Sequence, residues 1–266
     1  MDNRQILKQK SSYTFDDLVE IMRILRGDDG CPWDKEQTHK SIRNSFIEET
    51  YEFIEGVDND DYTLMCEELG DCMLQIVFHA QMANENSKFN INDVIDGICK
   101  KMILRHPHIF ADTVVNSSSQ VLENWDEIKK VEKNQKTVSE KMQHISKALP
   151  SLIRAQKLGK CAAKVGFDFK DPLEALEKIV EETSELKDEI ALQNKEKIKE
   201  EMGDLLFAAV NTSRLLDVDA EQALYDANDK FLQRFTKVEK FAQSKGQTLN
   251  LLTVSEMNEI WDIIKK

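Results

Sequence analysis

The sequence predicts an all-α fold, and three observations support that prediction. Only nine glycines and four prolines occur in 266 residues, which favours long helices over many short strands. Runs of β-branched residues with strict apolar–polar alternation, the usual sign of half-exposed strands, do not occur. The pattern of acidic residues in EETYEFIEGVDNDDYTLMCEELGD, residues 48–71, recurs further along the chain, and its spacing is compatible with helices. With 41% hydrophobic residues, the chain is able to form a core.

The recurrence is an internal repeat with a constant offset. Adding 133 to a residue number aligns eight identical pairs: Glu48/Glu181, Glu49/Glu182, Thr50/Thr183, Glu52/Glu185, Glu67/Glu200, Glu68/Glu201, Gly70/Gly203 and Asp71/Asp204. Further on, an offset of 129 aligns Lys101 with Lys230 and Arg105 with Arg234. The sequence therefore predicts a tandem duplication: one domain over residues 1–112, a connector over 113–144 and a second domain over 145–266. The connector holds the polar stretch ADTVVNSSSQ and then a charged helix, VLENWDEIKKVEKNQ.

In the first half, Thr14 is expected to cap a helix over FDDLVEIMRILR. The stretch GCPWDKEQTHKS is expected to be a loop. A second helix over residues 41–57 has Phe46, Phe53, Ile54 and Val57 as apolar anchors, and VDNDD forms a turn. A third helix, residues 61–84, follows with a core stripe, and a fourth spans 91–105. The members of that stripe are Leu64, Leu69, Met73, Ile76, Val77 and Ala80.

The second half repeats this order of helices. DPLEALEKIVEETSELKDEI and EKIKEEMGDLLFAAVNTSRLL are predicted helices joined by a turn at Gln193–Asn194. DAEQALYDANDKFLQRFTKVEKFA is the long helix that carries Lys230 and Arg234. The second and third helices of the first half, and the two helices joined at Gln193–Asn194 in the second half, should therefore each pack as an antiparallel hairpin.

The hairpin brings the acidic residues of its two helices level with each other. Glu49 and Glu52 precede the tip near residue 59, and Glu68 and Asp71 follow it by similar distances, about 10–18 Å at 1.5 Å per residue. Spacings of three and four keep each set on one helical face. Converging carboxylates are unfavourable unless they are neutralised. Oxygen-only ligands suit Mg²⁺ or Mn²⁺, and a Lys/Arg pair on the fourth helix suits phosphate oxygens.

The sequence pattern also distinguishes a magnesium site from several other possibilities. An acidic helix face is often merely solvated, but a solvated face has no reason to repeat its residue types. A di-iron bundle needs Glu-x-x-His pairs, whereas both copies have Glu-x-x-Asp. EELGD is similar to the end of the Nudix motif without the Arg-Glu that precedes it. A GxxxxGK[ST] phosphate loop does not occur.

Charge and cysteine content limit the partners and the compartment. The net charge of −13 argues against a nucleic-acid polymer and against an anionic membrane surface. The five cysteines are scattered without CxxC spacing, as expected for reduced thiols. The opening MDNRQILKQK is no signal peptide, and no apolar run approaches a membrane span. We therefore expect a cytoplasmic protein.

At its acidic motifs the chain resembles the MazG family of nucleoside triphosphate pyrophosphohydrolases. The motif EExxE followed by ExxD stands here at residues 48–52 with 68–71, and again at 181–185 with 201–204. GCPWDKEQTHKS, RHPHIF, NWDEIKKVEK, GFDF, NDKFLQRF and EIWDIIKK resemble other segments of the long, two-domain form. The resemblance implies tandem helical-bundle domains completed by dimerisation. It also implies Mg²⁺-dependent hydrolysis of nucleoside triphosphates between the α- and β-phosphates, which gives a monophosphate and pyrophosphate.

The resemblance also assigns roles to residues. It implies that Mg²⁺ is held by Glu182, Glu185, Glu201 and Asp204 in the second unit and by Glu49, Glu52, Glu68 and Asp71 in the first. Glu181 or Glu182 helps to activate water. Lys230 and Arg234 hold the phosphates, Trp261 is a candidate for stacking on the base, and Lys101 and Arg105 are the first unit's pair. Trp33, Asp34 and His39 resemble loop residues near the nucleotide. Lys199 is a further candidate phosphate contact, although pairing with a glutamate on its own helix competes with that role.

Some alternatives stay open at the level of sequence. Trp261 serves equally well as an anchor for a docked terminal helix, and a loop histidine such as His39 is commonly a capping or surface residue. The second unit is favoured as the active one because its Lys230, Arg234 and Trp261 match the family more closely. A non-catalytic helical regulator that binds nucleotide or a partner protein through its acidic face is the alternative function. A nuclease is disfavoured because the chain has no basic track for a polymer.

Overall fold

The computed structural model describes residues 3–132 and 137–265, and all regular secondary structure in these ranges is helical. The all-α prediction is therefore confirmed. The α-helices in chain order are α1 Asn3–Lys8, α2 Phe15–Leu25, α3 Pro32–Glu36, α4 Arg43–Asp58, α5 Tyr62–Glu85, α6 Ile91–Arg105, α7 Pro107–Phe110, α8 Ser118–Glu132, α9 Val138–Gln143, α10 Ser151–Ala163, α11 Pro172–Leu192, α12 Lys195–Leu215, α13 Ala220–Ser244 and α14 Val254–Lys265. A single 3₁₀ turn, Leu249–Leu251, precedes α14.

The chain divides into two compact units, residues 1–128 and 129–266. In the first unit α4 and α5 form a helical hairpin, and α2 and α6 pack on α5. The core lies between α2, the segment before α4 and the C-terminal half of α5, and it contains Met22, Ile42, Val77, Phe78 and Met82. The acidic motifs occupy the half of the hairpin that this core leaves uncovered.

Side-chain caps mark the starts of α2, α5 and α6 in the first unit. The predicted cap at Thr14 is confirmed, and Asp17 completes a capping box with it at α2. Asp61 accepts hydrogen bonds from the first backbone amides of α5, and Asn90 with Asp93 forms a capping box at α6. The expected loop GCPWDKEQTHKS contains the short helix α3, which starts at Pro32, a residue preorganised for a first helical position.

In the second unit α11 and α12 form the corresponding hairpin, with α10 against α12 and α14 against α13. Asp171 caps α11, and Pro172 occupies its first position. The predicted turn is confirmed: Gln193 adopts the left-handed conformation, with φ 56°, and Asn194 caps α12. The charged connector helix is α8, and the last residues of its predicted segment, 133–135, lie outside the described residues.

Part of the predicted core stripe on α5 is not buried within this chain. Val77 and Ala80 are buried, but Leu69, Met73 and Ile76 are 50%, 43% and 40% exposed. Val57 on α4 is also exposed. The reason is that α5 has apolar residues on two sides, and the elements of its own unit cover only one. On α12 the exposed residues Met202, Leu206 and Phe207 show the same feature.

Among the helices that the structure describes, none is both long and apolar enough to cross a lipid bilayer.

Candidate metal centres

The first unit brings together Glu49 of α4 and Glu68 and Asp71 of α5. One carboxylate oxygen from each lies within 4.8 Å of the other two. The hairpin causes this convergence, because residues at equal distances from its tip face each other across the seam. The predicted convergence of acids is therefore observed, with these three residues at its centre, a group referred to below as the first triad.

Burial and mutual repulsion make the first triad electrostatically unfavourable. Glu68 is only 6% exposed, and its Oε2 has no hydrogen-bond partner among the described residues. Burial raises the pKa of Glu68, and the charges of Glu52, Asp71 and Glu49 raise it further. The pKa of Glu49 is raised by burial and by Asp71 and Glu52, with Gln75 opposing the shift through a hydrogen bond. A cation at this point would relieve both effects.

The second triad consists of Glu182 of α11 and Glu201 and Asp204 of α12, and its ligand oxygens also lie within 4.8 Å of one another. These are the three positions equivalent to Glu49, Glu68 and Asp71 at the repeat offset of 133. Glu182 is buried, Glu201 half-buried and Asp204 exposed. Equivalent carboxylates have thus converged in both units, although the two stretches of sequence differ at most of their other positions.

The fourth predicted ligand of each unit lies beside its triad and outside the closest group. Glu185 acts on Glu201, whose pKa is raised first by burial and then by the charge of Glu185 and a hydrogen bond with it. In the first unit, Glu52 raises the pKa of Glu68 by its charge. Glu52 lies about one helical turn beyond Glu49, and Glu185 about one turn beyond Glu182. Each is therefore near enough to add its negative charge to the triad, and it would reach a bound cation after a side-chain rotation.

Lys178 forms ion pairs with Glu181 and Glu182 that were not predicted from the sequence. Its Nζ donates to Glu182 Oε1 at 2.7 Å and to Glu181 Oε1 at 2.8 Å. The proposed water-activating pair therefore shares one lysine. At the repeat offset the first unit has Ser45 at this position. The sequence signal for this contact is the difference between the two copies at this position.

The predicted phosphate ligands of the second unit lie one helical turn apart on α13. Lys230 is exposed and Arg234 half-buried, and neither side chain forms a hydrogen bond or ion pair with another described residue. Lys199 is exposed and is not paired as the sequence suggested. The Lys–Glu pair on that turn is Lys197 with Glu200, at 2.8 Å.

In the first unit the two cationic candidates differ in their surroundings. Lys101 is exposed. Arg105 is 9% exposed, and its guanidinium lies 5.5 Å from the ring centroid of Trp125 on α8. The structure therefore places Arg105 against an aromatic ring of the connector helix.

The aromatic and histidine candidates lie in local contacts of their own units. Trp261 on α14 contacts Phe231 on α13 with ring centroids 5.5 Å apart, which docks the last helix. Trp33 is 61% exposed on α3. The His39 ring stacks on His79 of α5, with the two Nδ1 atoms 2.8 Å apart.

The donor set of each triad suits a hard divalent cation. Mg²⁺ binds oxygens at about 2.0–2.1 Å in an octahedron, so its neighbouring ligands lie about 3 Å apart. The triad oxygens lie within 4.8 Å of one another, so small side-chain rotations would bring them to that spacing. The buried Oε2 of Glu68 provides a lone pair that no donor of the described residues uses. The residues present therefore fit such an ion in both units.

Comparisons with known proteins agree with the repeat. The family model for the MazG nucleotide pyrophosphohydrolase domain matches twice, at residues 37–110 and 170–239. These ranges contain both triads and both Lys/Arg pairs, whereas Trp33 and Trp261 lie outside them. The chain is 43% identical to the nucleoside triphosphate pyrophosphohydrolase/pyrophosphatase MazG of Thermotoga maritima over 97% of this chain and 98% of that protein.

Two further relatives show how widely the sequence pattern is shared. The nucleoside triphosphate pyrophosphohydrolase of Escherichia coli K12 is 42% identical over 94% of this chain and 97% of its own length. The uncharacterized protein YabN of Bacillus subtilis is 43% identical over 96% of this chain, which corresponds to 52% of that longer protein. On the double domain match and on identities that extend over nearly the whole chain, the protein belongs to the MazG nucleotide pyrophosphohydrolase family.

Proposed function

We propose that the protein is a nucleoside triphosphate pyrophosphohydrolase that depends on Mg²⁺ or Mn²⁺. It hydrolyses NTPs and dNTPs between the α- and β-phosphates and releases a nucleoside monophosphate and pyrophosphate. The observation that carries this proposal is the pair of equivalent triads, each with carboxylate oxygens within 4.8 Å of one another. The names of the relatives from Thermotoga maritima and Escherichia coli support the same reaction.

In the second unit Glu182, Glu201 and Asp204, with Glu185 after a rotation, are the residues to hold the cation. A bound divalent ion supplies charge neutralisation at the phosphates and lowers the pKa of a water molecule. In the reaction, the water oxygen bonds to the α-phosphorus while the bond from that phosphorus to the bridging oxygen breaks. The water proton passes to a carboxylate, for which Glu181 is a candidate because Lys178 orients it beside Glu182.

The substrate-binding groups lie on α13 and α14. Lys230 and Arg234 have no partners within the described residues, so their charges are available to phosphate oxygens. Trp261 is the candidate for stacking on the base, and its contact with Phe231 holds α14 on α13. Lys199 is a secondary candidate from α12. The first unit's Lys101, Arg105, Trp33 and His39 have the corresponding proposed roles, and we assign the main activity to the second unit.

We further propose that the protein is a homodimer. Apolar side chains on both hairpins remain exposed in the single chain, among them Leu69, Met73, Leu206 and Phe207. Surfaces of this kind are normally covered by another protein surface. A second copy that covers the free side of the hairpins would complete each bundle.

The test of the reaction is product analysis. The purified chain is incubated with Mg²⁺ and a panel of NTPs and dNTPs, and products are separated by anion-exchange chromatography and ³¹P NMR. A monophosphate and pyrophosphate in equal amounts are expected. Release of orthophosphate and a diphosphate would contradict the proposed bond. Nucleotide binding without turnover would instead favour a non-catalytic regulator.

A further inference from the structure

The two triads consist of equivalent residues but have different charged neighbours. In the second unit the ammonium group of Lys178 lies 2.7 Å from a carboxylate oxygen of Glu182 and 2.8 Å from one of Glu181. Glu182 is a triad member, and its side chain is only 7% exposed. One of the three carboxylates in the second triad therefore already has a protein cation in direct contact.

The first triad has no such partner. The residue equivalent to Lys178 is Ser45, one turn before Glu49 on α4. Within residues 3–132 and 137–265, no lysine, arginine or histidine forms an ion pair with Glu49, Glu68 or Asp71. The buried Oε2 of Glu68 also lacks a hydrogen-bond donor. Among the described residues, no ion pair therefore offsets the negative charge of this triad.

A divalent ion at Glu182 meets competition that an ion at Glu49 does not. It must either displace the ammonium group from the carboxylate or bind beside it, and two cations at contact distance repel each other. From these contacts we infer that Lys178 is a resident counter-ion of the second triad. The nucleotide-free protein therefore fills its first triad at lower divalent-metal concentration than its second. This inference rests on the proposed function, because it takes the triads to be metal sites.

The expected difference is modest, because Lys178 is partly exposed. Its side chain is 36% accessible, so an ammonium group released from Glu182 regains water. We expect the first triad to bind about fivefold more tightly, equivalent to about 1 kcal/mol at 1.4 kcal/mol per tenfold. Exchanging the two residues should move that difference from one unit to the other.

The experiment is a Mn²⁺ titration of the full chain without nucleotide, with free Mn²⁺ counted by electron paramagnetic resonance. Glu201→Gln removes a ligand from the second triad and leaves the first intact. Glu68→Gln does the reverse. Lys178→Ser is then added to the Glu68→Gln chain, and Ser45→Lys to the Glu201→Gln chain. Circular dichroism checks that each variant is folded.

The matched control is Lys187→Ser. Lys187 is an exposed lysine nine residues after Lys178 on α11, so it lies on the opposite side of the helix. The control changes the net charge by the same amount and should leave the second triad's affinity unchanged. Lys178→Ser should strengthen Mn²⁺ binding about fivefold, and Ser45→Lys should weaken it by a similar factor.

Equal affinity of the two isolated triads, or affinities that do not respond to the two exchanges, would overturn the inference. Neither result concerns the release of pyrophosphate in the presence of metal, so the proposed function would survive. A failure of Mn²⁺ to bind at either triad would overturn both the inference and the metal part of the proposed function.

Discussion

Arg26 at the end of α2 holds the loop that carries Trp33 and His39 onto α5, and its removal is a sharp test of the structure. Its Nε and Nη2 donate to the two carboxylate oxygens of Glu85 at 2.9 and 2.8 Å. Its Nη1 donates to the backbone oxygens of Asp34 and Gln37. The Arg26→Ala variant loses all of these bonds at once.

The magnitude follows from the burial of the two partners. Breaking a buried ion pair by removing one member costs about 3–5 kcal/mol, because the other charge stays buried without a partner. The side chain of Arg26 is 8% exposed, but that of Glu85 is 33% exposed and regains part of its hydration. We therefore expect Arg26→Ala to lower the free energy of unfolding of the first unit by about 2–3 kcal/mol. Arg26→Lys should cost about half as much, because it keeps the charge without the two-pronged geometry.

The assay is urea unfolding combined with amide hydrogen exchange, because the two units need not unfold together. Exchange should accelerate in residues 31–42 and stay unchanged in α11. The matched control is Arg23→Ala, which breaks an ion pair with Glu20 whose arginine is 59% exposed. That exposed pair is expected to contribute less than about 1 kcal/mol.

The same contact predicts a dependence on pH. The hydrogen bond from Arg26 lowers the pKa of Glu85. The stabilisation is therefore fully present above the unfolded-state pKa of about 4.3 and is lost as the pH falls through the lower folded-state value. The difference between wild type and Arg26→Ala should shrink below about pH 4. Equal costs for Arg26→Ala and Arg23→Ala at pH 7, or a difference that stays constant into acid, would refute the reasoning.

Three further predictions concern the sites directly. With the second unit as the active one, Glu201→Gln should lower kcat/KM for NTP hydrolysis by at least about 100-fold, equivalent to about 2.7 kcal/mol. Glu68→Gln should change kcat/KM by less than about twofold. Steady-state pyrophosphate release measures both effects. Burial lowers the pKa of His79, so the free energy of unfolding should decrease as the pH drops through the unfolded-state pKa of about 6.5. The urea midpoint should therefore fall less between pH 7.5 and 5.5 in His79→Gln than in the wild type. Phe231→Ala removes the ring partner of Trp261, which should cost about 1 kcal/mol from the ring pair alone; its signatures are faster amide exchange in α14 and a red-shifted Trp261 fluorescence.

Several helix boundaries were predictable because they have local chemical causes. The capping box at Thr14, the turn at Gln193–Asn194 and the cap at Asn90 act over three or four residues, which is the range that a sequence window covers. The short helix α3 was missed because five residues contain too little apolar periodicity to indicate a helix. Its one signal was Pro32 in the first helical position.

Exposure of apolar residues was harder to predict than helix position. The α5 pattern marks Leu69, Met73, Val77 and Ala80 as equally apolar, but the single chain covers only the last two. Hydrophobic spacing shows that a helix face prefers to be buried. It does not show whether the covering surface comes from the same polypeptide.

The triads were partly predictable and partly not. Helical spacing and the repeat placed Glu49, Glu68 and Asp71 together, and the structure confirms that convergence. Spacing alone did not separate these three from Glu52, because residues three apart still share a face. The repeat did not indicate the contact of Lys178, because the two copies differ at this position and the first copy has Ser45.

The tandem arrangement of the two hairpins also has a consequence for how the protein can change. When a multi-subunit enzyme is built from identical short polypeptides, one substitution alters every copy of its centre at once. Here Ser45 and Lys178 occupy corresponding positions but are encoded separately. Either half can therefore acquire its own ion preference or turnover while the other keeps the ancestral behaviour.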